Sequence, residues 1–153
     1  MSFALRRTAW RLIVAMALMS LAIAGLAAGP SAELSPKAVV TAQLDALRDG
    51  DPGAAYRYAS PANQAAIGSA EAFAAMLQRQ YSDMLSQSAA RVTLKASNDE
   101  QAQVLAELTQ PDGSQSAYVF VLSRQSSGPC TGCWLTDGVF ALQPTHQQPM
   151  YSI

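Results

Sequence analysis

Cys130-Thr131-Gly132-Cys133 is the spacing in this chain with the most chemistry attached to it. A C-x-x-C pair can be a redox couple, half of a zinc site or a local disulfide. A redox couple sits at the start of a helix, where the dipole lowers a thiol pKa. Here the residues after Cys133, Trp134 to about Leu142, read instead as a strand. Zinc would need two further ligands, and with one His in the chain they would have to come from a second chain. In an oxidising compartment the favoured state is a disulfide between Cys130 and Cys133 that pins a hairpin. Closing so short a loop contributes on the order of 1 to 2 kcal/mol.

Acid–base catalysis needs a pocket carboxylate or imidazole with a second group beside it. The single imidazole, His146, falls in a Pro- and Gln-rich tail, and most acids flank helix ends. Asp137 is the one carboxylate inside a predicted strand, and strict alternation gives it the face of Leu135 and Val139. It is therefore the candidate buried base, should the protein be an isomerase or dehydratase working with a tyrosine, and the favoured alternative is a partly exposed residue or one in a turn. No Ser-His-Asp set and no glycine-rich phosphate loop is apparent, and no residue is assigned as catalytic or metal-ligating. No cofactor is implied.

Two glutamines interrupt apolar helical arcs. At about 100° per residue, Gln43 lies between Val39 and Leu47, and Gln80 lies among Phe73, Met76 and Met84. A buried amide left without a partner costs on the order of 1 to 3 kcal/mol. Each must then tie its helix to another element or orient a ligand. Tyr56, Tyr58 and Tyr81 join an apolar body to a polar tip and are suited either to the core or to the rim of a pocket. With Asp137 they complete the candidate ligand-binding set of Gln43, Tyr56, Tyr58, Gln80 and Tyr81.

Cap-plus-proline signals at Ser35-Pro36, Asp51-Pro52 and Ser60-Pro61 open three helices, ending near Arg48-Asp49-Gly50, Ala59 and Ile67-Gly68. Ser69 caps a fourth, whose face of Phe73, Met76, Leu77, Tyr81, Met84 and Leu85 predicts one continuous helix. From Arg91 the texture changes to alternation. Val92, Leu94 and Ala96, then Val104, Ala106 and Leu108, predict two half-buried strands. Ala117 to Leu122 is apolar on both faces and predicts a central strand, followed by the strand from Cys133 or Trp134 to about Leu142. Helices followed by strands imply an α+β domain, with the helices on one face of a bent, four-stranded antiparallel sheet.

Three of the ten basic residues, Arg6, Arg7 and Arg11, precede an uncharged run from Leu12 to Gly29, and all eleven acids follow it. The remainder carries seven basic against eleven acidic groups, net −4, a balance that argues against a nucleic-acid partner. A basic start and an apolar run predict a signal peptide or signal anchor over 1–32, a domain over 33–143 and a flexible tail over 144–153. The expected location is periplasmic or secreted, the alternative being anchorage to the inner membrane through an uncleaved leader. Membrane contact is expected only through that segment.

The stretches Gln43 to Leu47, Tyr56-Arg57-Tyr58-Ala59-Ser60-Pro61, Gly68 to Phe73, Met76 to Tyr81, and Trp134 with Gly138-Val139 together resemble a bacterial family termed domain of unknown function 4864. The resemblance covers Lys37 to about Gln143. It implies a small cone-like α+β fold similar to nuclear transport factor two and the ketosteroid isomerases, enclosing a pocket, and it implies no activity. Fold alone does not choose a function. The expectation is a non-catalytic binding or accessory module for a small apolar ligand or an envelope protein, with a homodimer as one option. The alternatives are the pocket enzyme using Asp137 and a thiol–disulfide protein using Cys130 and Cys133.

Overall fold

The computed structural model describes residues 29–142. All but the last positions of the expected leader, and the whole tail with His146, lie outside the described residues. Five helices, α1 (Pro36–Arg48), α2 (Pro52–Tyr56), α3 (Pro61–Ile67), α4 (Ala70–Gln80) and α5 (Ser82–Ser86), precede four strands, β1 (Ala89–Ser97), β2 (Gln101–Thr109), β3 (Gln115–Arg124) and β4 (Trp134–Leu142). The helix starts follow from the caps. Ser35, Asp51, Ser60 and Ser69 accept from the N–H groups of Ala38, Ala54, Asn63 and Ala72 at 3.2, 2.8, 3.4 and 3.1 Å. Proline occupies the first turn of α1, α2 and α3, where its missing N–H has no partner to lose. Gly68, at φ +98°, ends α3 in a conformation that a side chain would strain.

The sheet is an antiparallel meander in the order β1-β2-β3-β4, and the helices pack on one face of it. Val39, Val40, Leu44 and Leu47 of α1, with Phe73, Leu77 and Met84, meet Val104, Ala106 and Leu108 of β2 and Tyr118, Phe120 and Leu122 of β3. Full burial of each aliphatic or aromatic side chain contributes roughly 1.5 to 3 kcal/mol, so this layer is the main source of stability. The opposite face is more open. There Leu105, Val119 and Phe140 form one cross-strand row, and Phe140 is 61% exposed.

Three expectations need correction. The helix expected from Ser69 through Leu85 breaks at Tyr81, whose φ of −139° and ψ of 38° leave the helical region. The break is held from outside, since the Asp83 carboxylate accepts from Tyr118 and the Asp83 carbonyl accepts from Gln110 at 3.0 Å. In β1 the half-buried pattern stops at Val92. The register skips Lys95 between Leu94 and Ala96, and Leu94 is 43% exposed. In β4 the register passes from Thr136, opposite Leu122, to Gly138, opposite Val121, and Asp137 is left over as a bulge. Alternation fails there: Leu135 and Thr136 are both buried, and Asp137 is exposed.

Candidate functional site

A cavity of about 160 Å³ lies between the helices and the inner face of β3 and β4. Its wall is mostly apolar. Leu47, Phe73, Leu77, Met84 and Phe120 come from the core, while Ile67, Met76 and Val139 are only partly buried. Gln43, Asn63, Thr136 and Tyr81 supply the polar groups, and among the described residues no lysine, arginine, histidine or carboxylate lines it. The volume matches a dry cavity of about 150 Å³ that accepts a molecule of benzene size.

The polar edge is built around one residue of the β4 bulge. Thr136 donates its hydroxyl to Gln43 Oε1 at 2.9 Å, and its N–H donates to the Tyr58 carbonyl at 2.8 Å. Its carbonyl accepts from Ser60 N–H at 2.9 Å and from Asn63 Nδ2 at 3.3 Å. Gln43 completes the link by donating Nε2 to the Ala55 carbonyl at 3.3 Å. One threonine thus ties α1, the α2–α3 corner and β4, and its burial at 1% exposed costs little because each polar group is paired. Asn63 is less fully used, for its Oδ1 has no hydrogen-bond donor among the described residues.

Of the residues the sequence singled out, Gln43 and Tyr81 line the cavity. Gln80 is exposed, which corrects its inward assignment: the helical angle is right, but it is the last residue of α4, beyond the packed surface. Tyr81 takes the inward position instead, and its hydroxyl has no hydrogen-bond partner among the described residues. Tyr56 donates to the Gln64 carbonyl at 2.8 Å and packs on Phe73 with ring centroids 5.5 Å apart, so its hydroxyl serves the fold. Tyr58 is buried in the core at 3% exposed and does not line the cavity. Asp137, exposed in the bulge, is not at the cavity either, so it takes the exposed alternative and not the role of a buried base.

Sequence reading missed Asn63, Thr136 and the Asp83–Tyr118 pair. The Tyr118 hydroxyl donates to both carboxylate oxygens of Asp83, at 2.6 and 2.7 Å. Burial, and then the adjoining Asp83 carboxylate, raise the Tyr118 phenol above its ordinary range, so it is a fixed donor. The ring of Tyr81 stands 6.0 Å from that of Tyr118, backing the cavity wall onto this anchor. No helix-period or strand-period signal marks such a pair, because its members are 35 positions apart.

Cys130 and Cys133 are joined as a disulfide, with Cα atoms 5.5 Å apart. Cys133 is fully buried and leads directly into β4, and Cys130 lies beside the Pro30 carbonyl. Among the described residues no group of three His, Cys, Asp or Glu is placed to hold a metal, and no helix is long and apolar enough to cross a membrane.

Helices on one face of an open four-stranded antiparallel sheet, with a small apolar cavity between the layers, define an α+β pocket domain. Within that class the chain belongs to the family described as domain of unknown function DUF4864, which it matches over residues 31–149. Neither the curated proteins nor the solved structures yield a match.

Proposed function

We propose that this protein is an exported, periplasmic binding module that holds a small, neutral, largely apolar molecule between its helices and its sheet. The observation that carries the reading is the composition of the cavity wall, which is apolar with Gln43, Asn63, Thr136 and Tyr81 as its polar groups. Such a lining desolvates hydrocarbon at little cost and orients one hydroxyl or carbonyl group. A charged ligand would lose its hydration and find no counter-ion there. The leader-like N-terminal sequence supports export, and the helix-then-meander order supports kinship with the cone-like fold of nuclear transport factor two. An isomerase or dehydratase would need a base at the cavity, and Asp137 is displaced from it by the bulge. The test is a thermal-shift screen with neutral single-ring compounds on the wild type and on Met76→Trp, which fills the partly open wall. Ligand-dependent gains in Tm that vanish in the variant support the reading, and equal gains in both overturn it.

A further inference from the structure

A second feature lies away from the cavity, between α1 and the edge of the sheet. Among the described residues β1 pairs only with β2, so its other edge presents backbone N–H and C=O groups to no strand. Proteins blunt such edges with bulges and charges, and the far part of β1 is blunted in this way, with Lys95 bulged out of register. The stretch from Ala89 to Leu94 is regular. It borders a groove of about 290 Å³ in which the partly buried Val92 lies against the fully buried Leu44, with Lys37, Arg48, Arg91 and one carboxylate, Asp45, around them.

The charge of this groove is uneven. Three of the seven basic residues that follow the leader, Lys37, Arg48 and Arg91, line it against the one carboxylate of Asp45, although that part of the chain is net negative. Asp45 neutralises Arg48 at 2.8 Å. Lys37 and Arg91 have no ion pair among the described residues, and Glu107, the cross-strand neighbour of Arg91, is not within ion-pair distance.

We infer that this groove receives an extended, acidic segment of a partner protein as a fifth strand on the free edge of β1. The segment's backbone pairs with the Ala89 to Leu94 stretch, its apolar side chains lie beside Val92 on the face that α1 covers, and its carboxylates, on the opposite face, meet Arg91, with Lys37 adding attraction from the rim of the groove. Strand addition takes its affinity from main-chain hydrogen bonds and its selectivity from alternate side chains, which is the combination found here. A second copy is a poor occupant, because pairing two β1 edges would bring the Arg91 and Lys95 side chains of both copies together. The inference does not depend on the cavity being a binding site.

The test is fluorescence anisotropy of the purified protein with a labelled peptide of alternating Val and Glu, matched in length to the regular part of β1. Saturable binding is expected, falling about tenfold or more when Lys37→Glu and Arg91→Glu are combined, since attraction becomes repulsion. Methylating alternate backbone nitrogens of the peptide should abolish binding in one of the two alternations. Lys95→Glu, beyond the groove, should leave affinity within about twofold. Circular dichroism confirms that the double variant is folded, and if it is not, Arg91→Gln gives the same direction of change. Equal binding of a Val–Lys peptide, indifference to methylation in both alternations, displacement by free glutamate or phosphate at concentrations equal to the peptide's, or no binding up to about 1 mM each overturn the inference.

Discussion

Gln43 on α1 and Thr136 in the β4 bulge are 93 positions apart and share a buried hydrogen bond of 2.9 Å, with the threonine hydroxyl donating to the amide oxygen. The amide nitrogen donates to the Ala55 carbonyl. Gln43 is thus occupied within the fold on both sides. Gln43→Leu should destabilise the domain by roughly 1 to 3 kcal/mol, because it strands a buried hydroxyl and removes a donor from a buried carbonyl. That corresponds to a fall in Tm of roughly 4 to 12 °C for a domain of this size. Thermal unfolding of the variant checks this, and an unchanged Tm would remove the structural role.

The Tyr118 phenol binds its proton more tightly in the folded protein than in the unfolded chain, where its pKa is near 10. Its contribution to stability is complete below about pH 10 and is lost progressively as the pH rises beyond that value toward the elevated folded pKa. Urea unfolding between about pH 8 and about pH 11 should therefore show a decline that is shallower in Tyr118→Phe. An identical pH slope in the two proteins would show that the Asp83 contact does not hold the phenol proton.

These two contacts mark where sequence patterns stop being informative. Caps and prolines are local chemistry, and the starts of α1 through α4 follow from them. Tyr118, Phe120 and Leu122 of the interior strand β3 face the helices as alternation predicts, whereas Val119 on its other face lies beside its row neighbours Leu105 and Phe140. Counting in twos gives Asp137 the face of Leu135 and Val139, but one extra residue in β4 reverses every face beyond it. The helical angle turns Gln80 inward, but an angle says nothing of how far along its axis a helix stays covered. The break at Tyr81 depends on Tyr118 and Gln110, residues on the other side of the domain. Half of the cavity's polar edge, Asn63 and Thr136, came from the first turn of the short helix α3 and from beside the β4 bulge, where the period is too brief or is broken.

The Cys130–Cys133 disulfide closes a short loop ahead of β4, with Cys133 wholly buried. Alkylation should find both thiols blocked until a reductant is added. Cys130→Ser should then cost on the order of 1 to 2 kcal/mol, as expected for a short loop, and lower Tm by a few degrees. Catalysed reduction of insulin by the wild type, lost in this variant, would show a redox couple in place of a structural link.

Export can be tested without the folded domain. Residues 1–35 fused to a reporter active only outside the cytoplasm should give signal, because a basic start and an apolar run direct translocation. A product shortened by about the length of the leader on a gel means cleavage, and a full-length product in the membrane fraction means anchorage. A reporter active only in the cytoplasm would remove the periplasmic assignment.

Asn63 separates the binding role of the cavity from its structural one. Its Nδ2 donates to the Thr136 carbonyl at 3.3 Å, but that carbonyl also accepts from Ser60 N–H at 2.9 Å, so losing the amide does not strand it. Asn63→Leu should change stability by less than about 1 kcal/mol, in contrast to Gln43→Leu. The leucine nevertheless removes from the wall a carbonyl oxygen that has no donor among the described residues. If a ligand supplies that donor, the wild type should bind a ring bearing a hydroxyl about threefold to tenfold more tightly than the same ring bearing a methyl, the worth of one net hydrogen bond. Asn63→Leu should erase the difference by weakening the hydroxyl compound alone. Calorimetric titration with the matched pair, for example phenol and toluene, measures it. A preference for the hydroxyl that survives in Asn63→Leu would move recognition to Tyr81, whose Phe variant is then the one that must abolish it, and survival in both would leave the cavity a packing defect with no selectivity of its own.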